Sequence, residues 1–204
     1  MGLIRKYGFG GSLRMFVCLI YTKLNYPQAK IIRLPFDMRN KRNVRIGKNF
    51  IAGRSCRIEA YPIHDDKSIC ISIGNNVQIN DFVHIASSES ITIKDNVLIA
   101  GKVFITDLNH GNYSRHSAEQ DPPESIPSER KLITKPVFID EKVWIGESAS
   151  ILPGAKIGRC SIIGAMSLVN SEIPPYSIAI GCPARVVKTY DFNEKKWLPV
   201  SNAN

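Results

Sequence analysis

The chain has 204 residues, of which 44% are apolar, 8% aromatic and 22% charged. This length suits one domain with a sizeable core, and the composition excludes a largely disordered chain. No apolar run is long enough for a membrane-spanning helix, and the five scattered cysteines form neither a zinc motif nor a disulfide framework. We therefore expect a cytoplasmic protein.

The basic residues are concentrated at the start of the chain. Residues 1–48 contain eleven lysines and arginines against one acid, Asp37, whereas residues 49–204 are close to neutral. This asymmetry favours an anionic partner at one end of the molecule, such as lipid head groups, a polyanionic substrate or nucleic acid. An apolar stripe at helical spacing runs through the same segment and consists of Leu13, Phe16, Val17, Ile20, Tyr21 and Leu24.

Two interpretations fit this short amphipathic helix. It could cap the open end of a repeat fold and cover exposed core and an unpaired strand edge. Alternatively, it could lie in a membrane interface, where the nearby cations Arg5, Lys6, Arg14 and Lys23 would contact anionic lipid. Residues 1–43 are therefore predicted to be a cap or a membrane-surface segment. We expect no nucleic acid, because the cations surround an apolar stripe instead of alternating with aromatic residues.

A six-residue repeat dominates the middle of the chain. Every sixth residue is a β-branched aliphatic in three series, which run over Ile73–Ile85, Ile93–Ile105 and Ile139–Val169. The residue two positions earlier is apolar or small, so both side chains lie on one face of a short strand. Three such units make a triangular coil, and stacked coils bury an aliphatic column that one coil could not bury alone. The repeat therefore predicts a parallel β-helix.

The position after each β-branched residue often tolerates an unusual backbone conformation. A positive φ is predicted at these corners, which are Gly47, Gly74, Asn80, Gly146, Gly158, Gly164 and Asn170. The register breaks twice, by a bulge at Ser87–Ser90 and by a proline-containing segment predicted to be a protruding loop over residues 106–136. The repeat domain is placed at residues 44–188, followed by a C-terminal helix or tail over residues 189–204.

Several short motifs in this register carry a resemblance to a known family. They are Ile79-Asn80-Asp81-Phe82, residues 92–100, Asn109-His110, Val143-Trp144-Ile145-Gly146, Ile151-Leu152-Pro153-Gly154, Ile173-Pro174-Pro175 and Gly181-Cys182-Pro183-Ala184-Arg185. In this order they resemble the hexapeptide-repeat acyltransferases, and within them the sugar O-acetyltransferases that act on galactosides, maltose and lipopolysaccharide. The resemblance covers about residues 44–188. It implies an all-β fold, a left-handed parallel β-helix, and a homotrimer.

The resemblance also implies two catalytic residues, His110 and Asn80. His110 matches the family's catalytic histidine, and a neutral imidazole can take the proton of a sugar hydroxyl while the oxygen attacks a thioester. Asn80 matches an asparagine that holds the acceptor or polarises the reacting groups, although it could simply occupy a corner with positive φ. Asp107 and His84 are further candidates for substrate binding. Asp107 could orient His110 or form a turn, and His84 should point outward from its strand.

Acetyl-coenzyme A is the acyl donor that the resemblance implies. In the family its pantetheine arm lies along the C-terminal coils between neighbouring subunits. The matching positions in this chain are Ala165, Asn170, Ser171, Arg185, Lys188 and, on the outside of a strand, Trp144. No metal is expected.

The predicted function is acetyl transfer to a sugar hydroxyl, in the synthesis of a bacterial surface polysaccharide such as O-antigen or capsule. The acceptor could be free, nucleotide-linked or lipid-linked, and the last would suit peripheral contact with the membrane. N-acetyltransferases of amino sugars and serine acetyltransferases are alternatives with the same donor. A zinc enzyme like the γ-class carbonic anhydrases is a further alternative. It is disfavoured because His110 and His116 are six residues apart instead of five, with only His84 nearby.

Overall fold

The computed structural model describes residues 3–63, 67–114, 117 and 119–200. One helix, α1 (Leu3–Asn25), precedes a stack of coils that contain three short strands each. The first three coils contain β1 (Ile31–Ile32), β2 (Phe36–Arg39), β3 (Val44–Ile46), β4 (Ile51–Ala52), β5 (Cys56–Ala60), β6 (Ile71–Ile73), β7 (Gln78–Ile79), β8 (His84–Ser87) and β9 (Ile91–Ile93).

The fourth coil is interrupted by an antiparallel ribbon, and two further coils and a hairpin follow it. These elements are β10 (Leu98–Ile99), β11 (Phe104–Thr106), the ribbon strands β12 (Leu108–His110) and β13 (Leu132–Thr134), β14 (Val137–Ile139), β15 (Trp144–Ile145), β16 (Ser150–Ile151), β17 (Lys156–Ile157), β18 (Ile162–Ile163), β19 (Leu168–Val169), β20 (Glu172–Ile173), β21 (Ser177–Gly181), β22 (Ala184–Asp191) and β23 (Lys196–Pro199). Short 3-10 turns lie at Lys41–Asn43 and Pro127–Glu129.

The strands stack into three parallel sheets that form the sides of a prism. Sheet A contains β1, β4, β7, β10, β15, β18 and β21, and β22 and β23 extend it in antiparallel fashion. Sheet B contains β2, β5, β8, β11, β16 and β19, and sheet C contains β3, β6, β9, β14, β17 and β20. The chain visits A, B and C in turn, so each coil has one corner at each of the three edges of the prism.

The predicted aliphatic column forms the core. All twelve β-branched residues of the six-residue series are at most 2% exposed, and the residues two positions before them are buried as well. Partner strands align isoleucine with isoleucine, as in Ile79 with Ile99 and Ile105 with Ile151. The same apolar pattern therefore recurs every six residues because each coil buries the apolar side chains of the next one.

The corner prediction was wrong in its position. Positive φ occurs two residues later than expected, for example at Asn76 (φ 56), Phe82 (φ 62) and Met166 (φ 59), whereas Asn80 does not adopt it. The corner glycines are required for a different reason, because neighbouring coils approach them closely. A Cβ on Gly146 would lie 2.5 Å from the backbone nitrogen of Ala165 in the next coil.

Helix α1 packs on the first coil through a narrow polar face. The Thr22 hydroxyl accepts a hydrogen bond from the backbone N–H of Ile32 at 2.8 Å, and Cys18 and Thr22 are buried. Most of the predicted apolar stripe faces away from the prism: Leu13 is 57% exposed, Phe16 59% and Leu24 79%. The helix thus lies against the first coil and uses only Tyr21 of this stripe to contact the core.

The two ends of the β-helix differ from expectation. Strands β1 and β2, which lie before residue 44, already pair in parallel with β4 and β5 as parts of a coil. At the other end the expected C-terminal helix or tail is the antiparallel hairpin of β22 and β23. Tyr190 and Trp197 face each other across it with ring centroids 5.3 Å apart, and such aromatic pairs stabilise strands.

Candidate functional site

Asn80 lies in an open groove at the edge between sheets A and B. It directly follows β7, and its side-chain oxygen accepts a hydrogen bond from Gln78 at 3.0 Å, which orients the amide. The groove has a volume of about 410 Å³. Its other lining residues are Arg33, Asp81, Phe82, Gly101, Lys102 and Glu147. Because Asn80 does not have positive φ, the need for a left-handed corner does not explain an asparagine here.

His110 lies at the end of β12, on the ribbon that leaves the edge between sheets B and C. Its side chain is exposed, and no residue in the described part of the chain hydrogen-bonds the imidazole. The backbone is held firmly, because the Tyr113 hydroxyl donates to the His110 carbonyl at 2.6 Å and Arg130 donates to the same hydroxyl at 2.6 Å. The His110 imidazole is therefore accessible, and hydrogen bonds hold the backbone that carries it in place.

Of the two roles considered for Asp107, the structure favours formation of a turn over orientation of His110. Its carboxylate is fully buried and accepts hydrogen bonds from the Ser87 hydroxyl at 2.7 Å and from the backbone N–H groups of Ser88, Glu89 and Ser90 at 2.8, 2.9 and 2.6 Å. These donors belong to the two-residue bulge of the preceding coil. The carboxylate therefore holds that corner closed, and no oxygen is directed to His110 or to solvent.

His84 points outward from sheet B, as expected, but into a charged cluster. Its Nε2 lies 2.7 Å from a carboxylate oxygen of Glu59, and its ring lies 5.2 Å from that of Phe104. Burial alone would raise the pKa of Glu59, but the hydrogen bond with His84 and the charges of Arg57 and Arg39 together lower it. His84 thus lies between Glu59 and Arg57, whose guanidinium is 3.2 Å from its Nδ1, and it is a hydrogen-bond partner of both.

The six residues expected at coenzyme A lie in four places. Ala165 is exposed at the same edge as Asn80, and Trp144 projects from the outer face of sheet A with 49% of its surface exposed. Arg185 and Lys188 lie on β22, beyond the last coil. Asn170 and Ser171 turn the edge between sheets B and C, which is also the edge of the His110 ribbon.

One chain does not bring its two catalytic candidates together. The edges that carry Asn80 and His110 are separated by the width of sheet B, about 13 Å for a strand of four residues. The groove that Asn80 lines is not lined by His110.

Several groove residues were not among those predicted from the sequence. Lys102 and Glu147 form a salt bridge at 3.6 Å across neighbouring coils of the same edge. Arg33 reaches this groove from the coil that begins before residue 44. The concentration of positive charge in residues 1–48 was a signal for Arg33, but nothing in the sequence placed that charge beside Asn80.

The zinc alternative finds no support in the described ranges. No three histidine, cysteine, aspartate or glutamate side chains within them are placed to hold a metal ion. His64 and His116 lie outside the described residues.

No helix in the described part of the chain has the length and apolar character needed to span a bilayer.

Comparison with known proteins identifies the family. The chain is 39% identical over 195 residues, 96% of both chains, to WbbJ of Escherichia coli K12, a protein provisionally named as a lipopolysaccharide biosynthesis O-acetyltransferase. It is 32% identical to the galactoside O-acetyltransferase of the same organism over 136 residues, 67% of this chain and 62% of that protein. The chain belongs to the hexapeptide-repeat acyltransferase family. The expectation of an acetyltransferase from the sugar O-acetyltransferase branch is confirmed.

Solved structures support the fold of this acyltransferase. A mutant of AntD, an N-acyltransferase from Bacillus cereus in complex with a dTDP-linked amino sugar and coenzyme A, superposes with a TM-score of 0.66. The match covers 86% of this chain and 90% of AntD at 20% identity, so it bears on the fold alone. The fold class, a left-handed parallel β-helix with an N-terminal helix, is confirmed. No protein-family model matches the sequence.

Proposed function

We propose that this acyltransferase moves an acetyl group from acetyl-coenzyme A to a sugar hydroxyl, in the synthesis of a bacterial surface polysaccharide. The observation that carries this proposal is the 39% identity over nearly the whole length of a protein named as a lipopolysaccharide O-acetyltransferase. The site is compatible with that chemistry, because it offers an accessible imidazole and an oriented amide.

In the proposed reaction His110 acts as the general base. The neutral imidazole takes the proton of the acceptor hydroxyl, and the oxygen attacks the thioester carbonyl carbon to give a tetrahedral intermediate. The carbon–sulfur bond then breaks, and the proton passes from the imidazolium to the leaving thiolate. The products are an acetyl ester and free coenzyme A. The side-chain N–H₂ of Asn80 would donate to the developing oxyanion or hold the acceptor.

We further propose that the active site forms between chains of a homotrimer. Because Asn80 and His110 lie on different edges of one prism, they can serve one reaction if neighbouring chains each supply one of them. Outward-facing apolar residues in register on sheet A, Leu98 and Trp144, offer a surface for such packing. Coenzyme A would then lie in the cleft between two prisms, with Ala165, Trp144, Arg185 and Lys188 from one chain and Asn170 and Ser171 from the other.

We also propose that the enzyme works in the cytoplasm at the inner face of the membrane. The outward stripe of α1 exposes large apolar side chains, among them Phe16 and Ile20, and the surrounding N-terminal segment is strongly basic. An apolar face with cations beside it matches an anionic membrane interface. Flotation with vesicles that contain an anionic lipid tests this, and Phe16→Ser should weaken the binding.

The decisive experiment is release of free thiol from acetyl-coenzyme A across a panel of free, nucleotide-linked and lipid-linked sugars. The product must then be treated with alkaline hydroxylamine at room temperature, which cleaves acetyl esters and leaves acetyl amides intact. An ester is expected. An amide would replace the proposal with N-acetylation of an amino sugar, and no thiol release with any sugar would contradict it.

A further inference from the structure

A second, smaller cavity adjoins the Asn80 groove on the side of α1. Its volume is about 100 Å³. Tyr7, Arg14 and Cys18 line it from the helix, and Arg33, Arg54 and Asp81 line it from the coils. Arg33 and Asp81 line both cavities. The two spaces are therefore neighbours, and together they form a path from Asn80 to the N-terminal helix.

The smaller cavity has an excess of positive charge. Arg14, Arg33 and Arg54 face it, and none of them forms a salt bridge with an acid in the described part of the chain. Asp81 is the one acid among the described lining residues, and its carboxylate already accepts the backbone N–H of Arg54 at 2.8 Å. Three guanidinium groups around one small space attract an anion.

Arg33 gives a more specific indication. Its Nε atom is buried and has no hydrogen-bond partner in the structure. Buried N–H donors in proteins are nearly always satisfied, so an orphaned Nε–H in an arginine that lines a cavity suggests an acceptor that arrives with a ligand. Phosphate oxygens are well matched to the planar fork of arginine.

We propose that the smaller cavity binds the diphosphate of a diphosphate-linked sugar acceptor, with the sugar beside Asn80. This inference rests on the proposed function and narrows its acceptor class, because a free sugar would leave the three arginines without a role. Lipid carriers and nucleotides both present a diphosphate-linked sugar. The exposed apolar face of α1 begins next to the cavity, since Phe16 and Val17 follow the lining residue Met15, and this arrangement favours the lipid.

Inorganic pyrophosphate is the direct probe of this site. Calorimetric titration of the full chain should be done with saturating coenzyme A, so that any site for the diphosphate of the donor is occupied. The wild type should bind pyrophosphate, and Arg33→Gln should bind it at least tenfold more weakly. Arg54→Gln should show a similar loss, and it protects the test if the buried Arg33 is needed for folding.

Arg45→Gln is the matched control. Arg45 is an exposed arginine on β3, on the opposite side of the prism from the edge of Asn80, so its loss removes the same charge elsewhere. Its affinity for pyrophosphate should equal that of the wild type. Absence of binding, or equal affinity in the wild type and the Arg33 and Arg54 variants, would overturn the proposal.

Competition identifies the source of the diphosphate. A short-chain polyprenyl diphosphate that displaces pyrophosphate better than uridine diphosphate supports a lipid-linked acceptor, and the reverse order supports a nucleotide-linked one. Failure of both to compete contradicts the site.

The thiol-release assay distinguishes the diphosphate site from the proposed function. Arginine-dependent pyrophosphate binding without acetyl transfer contradicts the proposed function alone, and transfer without such binding contradicts the diphosphate site alone.

Discussion

Replacing Asp107 by alanine should destabilise the fold strongly. Its carboxylate accepts four hydrogen bonds of 2.6 to 2.9 Å, three of them from consecutive backbone N–H groups, and it is fully buried. A hydrogen bond to a charged group contributes about 1.5–3 kcal/mol, and bonds that share one acceptor are not additive. We therefore expect a loss of about 3–5 kcal/mol, because the alanine leaves these donors without a partner.

Chemical denaturation followed by tryptophan fluorescence measures this loss, and thermal unfolding should show a decrease of about 10 °C in Tm. Asp95→Ala is the control, because that carboxylate also accepts a backbone N–H, from Asn75 at 2.7 Å, but on the exposed surface. It should unfold much like the wild type. An Asp107→Ala protein with wild-type stability and lost acetyl transfer would refute this reasoning and return Asp107 to the active site.

Three further predictions concern catalysis, pH and packing. His110→Ala should lower kcat by about 10²–10⁴-fold in the thiol-release assay and leave the unfolding transition unchanged. The lowered pKa of Glu59 stabilises the fold above the pKa of the unfolded chain, and this contribution disappears as pH falls through the folded pKa. Glu59→Gln should remove that acid dependence from denaturation curves measured below about pH 5. Gly146→Ala should destabilise by more than about 2 kcal/mol, because its Cβ would lie 2.5 Å from Ala165, whereas Gly10→Ala in α1 meets no atom within 4 Å and should be neutral or stabilising.

The repeat made the fold predictable because it reports on a contact that recurs in every coil. A residue such as Ile99 packs on Ile79 of the coil before and Ile145 of the coil after, and all three are fully buried. The corners were predicted less well for the opposite reason. Local propensity predicted positive φ at the glycines. The glycines are instead required because the backbone of a neighbouring coil leaves no room for a Cβ atom, and this contact cannot be seen in the sequence of one repeat unit.

The functional candidates also differ in how well the sequence predicts their surroundings. His110 became a candidate because the family motif fixes its place where the coil becomes a loop. The hydrogen bonds of Asp107 could not be predicted because its four donors lie in the preceding coil, 17 to 20 residues away in the chain. The orientation of α1 was hard to predict because hydrophobicity favours burial of Phe16. The structure instead buries Cys18 and Thr22, whose small side chains and hydrogen bonds fit the first coil. The position of Asp107 and the orientation of α1 thus both depend on contacts with residues that are distant in the sequence.

The separation of Asn80 and His110 predicts complementation between two inactive variants. In trimers formed at random from equal amounts of Asn80→Ala and His110→Ala chains, a site shared by two neighbours keeps both wild-type residues in about one quarter of cases. Coexpression of the two variants should therefore restore about a quarter of the wild-type rate of thiol release, although each variant alone is nearly inactive. If both residues served a site within one chain, every chain would still lack one of them. Coexpressed trimers with no more activity than the separate variants would show that the two edges do not meet across chains.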